Sequence, residues 1–134
     1  MRFMVLMIPG VYQGGRKVDS NFVPDAEKMK RMGQFNDELK KAVTLISLDG
    51  LQPLTQGARL AFSNGSVKVT DGPFVEAKEV LGGYWMIQAK SKEEVVNWMK
   101  KCPADDGDVI EIRQVFEMSD FPIQVQKAAQ GARS

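Results

Sequence analysis

The segment TDGPFVEAKEVLGGY, residues 70–84, joins two apolar stretches and brings an aspartate close in sequence to other charged residues. Asp71 precedes Lys78, which has a glutamate two positions before it and another directly after it. A carboxylate in a partly closed cleft can act as a general base when a nearby cation stabilises the anion that forms. The segment therefore predicts proton transfer to Asp71. Lys78 or Arg113 would be the electrostatic partner, and Tyr84 would be a hydrogen-bond donor.

The tetrapeptide Asp71-Gly72-Pro73-Phe74 also has a purely structural interpretation. An aspartate accepts backbone hydrogen bonds in a turn, a glycine tolerates positive φ, and a proline fixes the direction in which the chain leaves. Phe74 would then fill the core at the corner. Both interpretations stay open at the level of the residues.

The absence of histidine restricts the chemistry further. It excludes Ser-His and Cys-His nucleophile pairs and histidine-based metal sites, which leaves acid–base work to Asp, Glu, Lys, Tyr or Cys. No loop has the spaced oxygen ligands of a calcium site, so we expect neither a metal nor a cofactor. Cys102 lies at helical spacing from Val95 and Trp98, which favours a buried structural thiol over a nucleophile.

Composition indicates an ordinary globular chain of one domain. Its 134 residues carry 18 Lys plus Arg against 17 Asp plus Glu, a formal charge of +1, with no basic run that would bind nucleic acid directly. The apolar start at residues 3–8 is too short for a membrane span and has no signal-peptide pattern. With a single cysteine, these features predict a cytoplasmic protein. We expect one domain at residues 1–117 and a tail at 118–134, partly disordered or lying on a partner.

Hydrophobic periodicity predicts the elements that position the charged residues. In chain order these are a strand at 2–8, a helix at about 24–41 with the stripe Met29, Met32, Phe35 and Leu39, a short strand before an Asp49-Gly50 turn, a hairpin at 58–70 around Asn64-Gly65, a strand at 82–90, a helix from Ser91 to Pro103 and a strand at 109–116. This order predicts an α+β fold, a ferredoxin-like sandwich with an antiparallel sheet and two helices on one face. Such a layer leaves the second face of its sheet uncovered.

Strand alternation indicates which side chains share that second face. In the last strand Ile110, Ile112 and Phe116 suit the helix layer, whereas Glu111 and Arg113 point the other way. Applied to the other strands, the same alternation predicts a cleft face that carries Arg59, Tyr84, Gln88, Glu111 and Arg113. Two arginines near a tyrosine suit an anionic ligand. For each residue alone, the alternatives are a solvated side chain or a pair across a dimer.

Four segments resemble the YCII-related proteins, in the branch named for its Asp-Gly-Pro-Phe motif. They are MRFMVLMI at 1–8, LDGLQPL at 48–54, TDGPFVEAKEVLGGYWMI at 70–87 and KKCPADDGDVIEIRQV at 100–115. The resemblance covers residues 1 to about 117 and implies a dimeric α+β barrel, in which two subunits pack sheet to sheet and enclose clefts. The family often shows Arg-Pro-Val where this chain has Arg-Gln-Val at 113–115.

The better-known YCII relatives look like enzymes with a His-Asp pair, and Asp71 corresponds to the acid of that pair. Because this chain has no histidine, the pair itself cannot be carried over. The resemblance and the residues together predict a homodimer that binds a small, anionic or carbonyl-bearing molecule and performs cofactor-free proton-transfer or lyase chemistry through Asp71.

Two alternatives stay open. The branch is known for genes beside, or fused to, extracytoplasmic-function sigma factors. This implies a non-catalytic ligand-sensing or protein-interaction module linked to transcriptional regulation. In the other alternative, the motif serves only folding or dimerisation.

Overall fold

The computed structural model describes residues 1–10, 25–72 and 80–133. Its strands and α-helices, in chain order, are β1 (Arg2–Ile8), α1 (Ala26–Ala42), β2 (Thr44–Gly50), β3 (Ala58–Ser63), β4 (Ser66–Asp71), β5 (Gly83–Gln88), α2 (Lys92–Met99), β6 (Val109–Gln114) and α3 (Ile123–Arg133). Short 3-10 turns lie at Leu54–Gln56 and Met118–Asp120. No helix in this part of the chain is long and apolar enough to cross a membrane.

Four strands form the main sheet, in the order β2-β5-β1-β6. All three neighbouring pairs are antiparallel. Because β1 and β2 both run antiparallel to the intervening β5, they are parallel to each other, and α1 is the crossover between them. This arrangement confirms the predicted α+β fold with an antiparallel sheet, and its strand order is consistent with a ferredoxin-like sandwich.

The core lies between α1, α2 and one face of the sheet. The buried residues of this cluster are Phe3, Val5, Phe35, Leu39, Val43, Trp85, Ile87, Ala89, Val95 and Met99. β1 and β5 supply its centre, because they are the two inner strands of the sheet. Ile110 and Ile112 of β6 pack against the same cluster, as their alternation predicted.

α1 begins two residues later than predicted. Asp25 is its N-cap and accepts a hydrogen bond from the backbone N–H of Glu27, so the first helical residue is Ala26. Phe35 is buried as predicted, whereas Met29 is 57% exposed and lies outside the core stripe. The residue after Phe35, Asn36, accepts a 2.8 Å hydrogen bond from the indole N–H of Trp85, which fixes the helix over the sheet.

α2 begins where its capping residue predicted. The Ser91 hydroxyl accepts a hydrogen bond from the backbone N–H of Glu94. The helix ends at Met99, before the predicted stop at Pro103, and a tight turn closed by the 3.1 Å bond from the Cys102 N–H to the Met99 carbonyl follows.

The segment Asp49-Gly50 forms the end of β2 and not the predicted turn. Asp49 pairs with Tyr84 and Gly50 pairs with Gly83, and the Leu51 N–H donates to the Gly82 carbonyl beyond them. An irregularity between Leu45 and Ser47 shifts the register of the strand. The backbone groups of Asp49 and Gly50 are hydrogen-bonded to β5, so they do not need the local hydrogen bonds of a turn. The strand therefore continues through the Asp-Gly dipeptide.

β3 and β4 form the predicted hairpin, as a two-stranded sheet of their own. Asn64 and Gly65 have φ of 48° and 78°, and two positive φ values are the signature of a type I′ turn. This turn follows the right-handed twist of the two strands, so the pairing runs from Ser63–Ser66 to Ala58–Asp71 without a shift.

The last strand is shorter than predicted, because β1 begins at Arg2 and offers no partner beyond it. The Val115 N–H makes the final bond, to the Arg2 carbonyl. Phe116, predicted to face the helices, is 71% exposed and stacks on Phe121. The chain then forms a 3-10 turn and α3 in the segment that was predicted to be partly disordered or to lie on a partner.

An ion pair attaches this C-terminal segment to β1. The Arg2 guanidinium donates to Glu117 through Nε at 2.6 Å and Nη2 at 3.0 Å. Its hydrogen bond and charge lower the pKa of the Glu117 carboxyl below the ordinary value. The C-terminal segment is therefore joined directly to the strand that lies inside the sheet.

Candidate functional site

The sheet face opposite α1 and α2, here called the open face, carries two rows of side chains in register. Across β2, β5, β1 and β6, one row consists of Asp49, Tyr84, Leu6 and Glu111, and the next consists of Ser47, Met86, Met4 and Arg113. Tyr84, Glu111 and Arg113 therefore share one face. The two inner residues of each row are half-buried and, apart from the Tyr84 hydroxyl, apolar, whereas the two outer residues are polar and exposed.

A tyrosine–aspartate pair lies at the β2 end of the open face. The Tyr84 hydroxyl donates a 2.7 Å hydrogen bond to Asp49 Oδ2. This bond raises the pKa of Tyr84 above its ordinary value of 10.0, and an interaction with the Ser47 hydroxyl opposes the shift. Tyr84 is therefore a neutral hydroxyl at physiological pH and serves as a hydrogen-bonding group, not as a base.

Sequence reasoning included Tyr84 and missed Asp49 and Ser47. The Asp-Gly dipeptide at 49–50 predicts a turn, and a residue in a turn has no assigned face of the sheet. The available signal was the pattern of β2 read through to Gly50, but its alternation is broken by the irregularity between Leu45 and Ser47.

The Tyr84–Asp49 bond predicts a specific pH dependence. Because the folded pKa of Tyr84 is raised, the contribution of this bond is present below pH 10 and is lost as the pH rises through the folded pKa. Absorbance titration near 295 nm, taken as the difference between wild type and Tyr84→Phe, should show a midpoint above 10. Asp49→Asn should move that midpoint to lower pH. An equal midpoint in wild type and Asp49→Asn would contradict the bond.

An arginine–glutamate pair lies at the β6 end of the same face. Arg113 Nη1 is 3.5 Å from Glu111 Oε2, and both side chains are substantially exposed. β6 is two strands away from β5, so this pair lies roughly 10 Å across the sheet from Tyr84. The two pairs are separated by the half-buried Leu6 and Met4 of β1.

Gln88 lies on the open face at the end of β5. It is exposed and stands in register with Arg2, whose guanidinium is bonded to Glu117. It is therefore set apart from the two polar pairs, because along β5 it lies two positions beyond Met86 and four positions beyond Tyr84.

The other predicted site residues lie elsewhere. Asp71 is the last residue of β4 and Arg59 lies in β3, so both belong to the separate hairpin sheet, on its opposite faces. Asp71 is exposed, and within the ranges that the structure describes no group is hydrogen-bonded to its carboxylate. Lys78 lies outside the described residues. The structure thus places Tyr84, Glu111 and Arg113 on one face of the main sheet, and Asp71 and Arg59 in the other sheet.

Comparison with known proteins supplies the family. The model of the YCII-related domain matches residues 1–119. The chain belongs to the YCII-related family. It is also similar to an uncharacterised protein of Rhizobium meliloti (strain 1021), with 32% identity over 76 residues. The match covers 57% of this chain and 61% of the relative, so it spans less than two thirds of the relative's length.

The glycine of the Asp-Gly-Pro-Phe segment has a structural role in this YCII-related protein. A Cβ atom on Gly72 would lie 1.6 Å from the Leu54 carbonyl oxygen and 2.6 Å from its carbon. The Gly72 N–H also donates to the Gly57 carbonyl at 2.9 Å. The predicted reason for this glycine, a positive φ, is wrong. The glycine is required because two backbone segments approach each other closely.

Cys102 behaves as the predicted structural thiol. It is half-buried and packs against the core cluster. Burial raises its pKa to about 11, and the nearby Asp108 carboxylate adds to the shift while Lys28 opposes it. At neutral pH the side chain is a thiol, so it is a poor nucleophile in this YCII-related protein.

Proposed function

We propose that this protein binds a small anionic or carbonyl-bearing molecule on the open face, in a cleft that a second copy of the chain closes. The observation that carries this proposal is the Tyr84–Asp49 hydrogen bond on a sheet face that α1 and α2 leave uncovered, with Arg113 across the sheet from it. A ligand of several carbon atoms would reach from the tyrosine hydroxyl to the guanidinium.

The chemistry of the open face suits an anion with an apolar body. Among the described residues, Arg113 is paired with Glu111 alone, through a long 3.5 Å contact. Most of its donors are therefore available for a carboxylate or phosphate, which a guanidinium binds in a bidentate manner. Tyr84 stays protonated, and a carbonyl oxygen of the ligand would replace Asp49 as the acceptor of its hydroxyl hydrogen. Leu6, Met4 and Met86 between them match the usual apolar lining of ligand clefts.

A homodimer is supported by the layer architecture. A sheet with helices on one side needs a second layer if its other face is to be buried. A second copy of the chain, related by a two-fold axis, would supply that layer. The half-buried apolar middle and charged edges of the open face match the apolar core and polar rim of protein interfaces. The resemblance to the Asp-Gly-Pro-Phe branch implies the same sheet-to-sheet pairing.

Acid–base catalysis by Asp71 is a second candidate function. It is favoured by the exposed carboxylate of Asp71, which has no hydrogen-bond partner among the residues that the structure describes, and by the fixed backbone at Gly72. An enzyme of this kind should lose turnover and keep ligand affinity in Asp71→Asn. A sensing module linked to sigma-factor regulation would instead keep its partner response in that variant.

Thermal shift and calorimetric titration would test ligand binding. The probes are small mono- and dicarboxylates, 2-oxo acids and phosphomonoesters at millimolar concentration. A ligand that binds the folded protein raises the free energy of unfolding by RT ln(1 + [L]/Kd) and thereby raises Tm. For any compound that binds, Arg113→Ala and Tyr84→Phe should each weaken affinity about tenfold or more. Arg31→Ala, which removes an exposed arginine from α1, is the matched control and should leave affinity unchanged.

Two results would contradict the proposal. One is a panel without any compound that stabilises the protein. The other is a binder whose affinity is equal in wild type, Arg113→Ala and Tyr84→Phe, because such a compound would bind away from the open face.

A further inference from the structure

One face of the β3–β4 hairpin consists of exposed apolar side chains. Leu60 pairs with Val69 and Phe62 pairs with Val67, and alternation along each strand places all four on the same side. They are exposed by 53% (Leu60), 61% (Val69), 75% (Phe62) and 49% (Val67). This surface is called the hairpin face below. It is a contiguous apolar area that the described residues of the chain leave open to water.

The other side of the same hairpin is polar or small. It carries Arg59, Ala61, Ser63, Ser66, Lys68 and Thr70. Clean alternation of this kind is typical of a sheet with one face in water and one face covered. A two-stranded sheet with neither face covered is only marginally stable. In the part of the chain that the structure describes, the extensive contacts of β3 and β4 are with each other.

We propose that the hairpin face is a self-association surface, on which the hairpin face of a second copy of this chain packs. The surface is complementary to itself, because it is apolar throughout its centre, and a two-fold axis through that centre brings identical patches together. The two hairpins would form a small sandwich with their apolar side chains interdigitated, roughly 10 Å apart. This contact does not depend on the ligand proposed above.

Charge favours a second copy over other occupants. Alternation places one ionisable side chain of β3 and β4 on the same side as the hairpin face. It is Asp71, which lies at the end opposite the turn. With no basic residue on this face, a nucleic acid or an anionic lipid surface would find no counter-charge. When two hairpins pack in opposite directions, each Asp71 lies beside the other copy's Asn64-Gly65 turn, roughly 20 Å from the second carboxylate. Like charges are thereby kept apart.

The size of the face sets the strength of the contact. Its four apolar side chains expose on the order of 400 Å², within the range at which patches on soluble proteins are frequently functional. Two such faces bury roughly 800 Å², which is the size of a weak interface and below that of a standard one. We therefore expect association that depends on protein concentration and that adds to any interface formed by the open face.

Light scattering and sedimentation over a wide concentration range would test this inference. Phe62→Glu should halve the mass that wild type reaches at high concentration, from dimer to monomer or from tetramer to dimer. Lys68→Glu, on the polar side of the same hairpin, makes a larger change of charge and should leave the mass unchanged. Equal masses for wild type and Phe62→Glu would overturn the proposal, whatever the state of the open face.

Cross-linking supplies a readout that does not require the hairpin to tolerate a charge. In a Cys102→Ala background, Phe62→Cys and Ala61→Cys place single thiols on the two sides of β3. A flexible bismaleimide that reaches beyond the ~10 Å spacing of packed sheets should join two Phe62→Cys chains at least tenfold faster than two Ala61→Cys chains. Equal rates would mean that the apolar side does not meet another copy. A near-ultraviolet circular dichroism spectrum, which reports the packing of the aromatic side chains, would verify the fold of each variant.

Discussion

Replacing Gly72 with alanine is expected to lower the free energy of unfolding by about 3 kcal/mol, the upper end of the usual cost of overpacking. The added methyl group would lie 1.6 Å from the Leu54 carbonyl oxygen, a distance that only a backbone shift can relieve. That shift would also stretch the 2.9 Å bond from the Gly72 N–H to the Gly57 carbonyl, which closes the base of the hairpin. Chemical denaturation followed by the fluorescence of Trp85 and Trp98 would measure the loss.

Gly33→Ala is the control for this experiment. A Cβ atom on Gly33 would meet nothing within 4 Å, and the residue lies inside α1, where alanine is better than glycine by about 0.5–1 kcal/mol. The control should therefore be slightly more stable than wild type. If Gly72→Ala unfolds with the wild-type midpoint, the backbone contact at Leu54 is not a constraint in solution. The glycine of the Asp-Gly-Pro-Phe segment would then need another explanation.

A charge in the middle of the open face is expected to separate the proposed homodimer. Met4 lies on the inner strand β1, between Met86 and Arg113 in register. In one isolated subunit, Met4→Glu places a carboxylate beside the Arg113 guanidinium, so the fold should tolerate it. In a sheet-to-sheet dimer the introduced carboxylates of both subunits would be buried in the interface, which should weaken association about 100-fold or more. Sedimentation equilibrium would measure the change.

Lys30→Glu reverses a charge on the exposed side of α1 and is the matched control, with no expected effect on association. A Met4→Glu protein that dimerises with wild-type affinity would show that the open face is not the subunit interface. The prediction for the hairpin face would be unaffected, because the mass of the Phe62→Glu variant tests that surface in a separate experiment. The two variants therefore separate the two proposed surfaces of this YCII-related protein.

Part of the candidate site could be predicted because strand alternation is a local property. The positions of Glu111 and Arg113 opposite Ile110 and Ile112 follow from the pleat of β6 alone. The partner of Tyr84 could not be predicted in this way. Asp49 is 35 residues away in sequence, and only the antiparallel register of β2 and β5 places the two side chains together.

The position of Arg59 also could not be predicted from strand alternation alone, because Arg59 and Tyr84 lie in different sheets. Its alternation within the hairpin was correct, with Ala58 and Leu60 on the opposite side. Alternation, however, assigns a side chain to a face only within its own sheet. Because β3 and β4 pair with each other and not with the main sheet, the face that carries Arg59 is not the face that carries Tyr84.

The amino-acid sequence by itself determined the features that depend on neighbouring residues. The Asn64-Gly65 turn, the Ser91 cap and the alternating strands are of this kind, because backbone preference and local hydrogen bonds act over a few positions. Only the tertiary structure decided which strands pair, where β6 ends, and why position 72 must be glycine. Those features depend on contacts between segments far apart in the chain, and their geometry exists only once the sheet has formed.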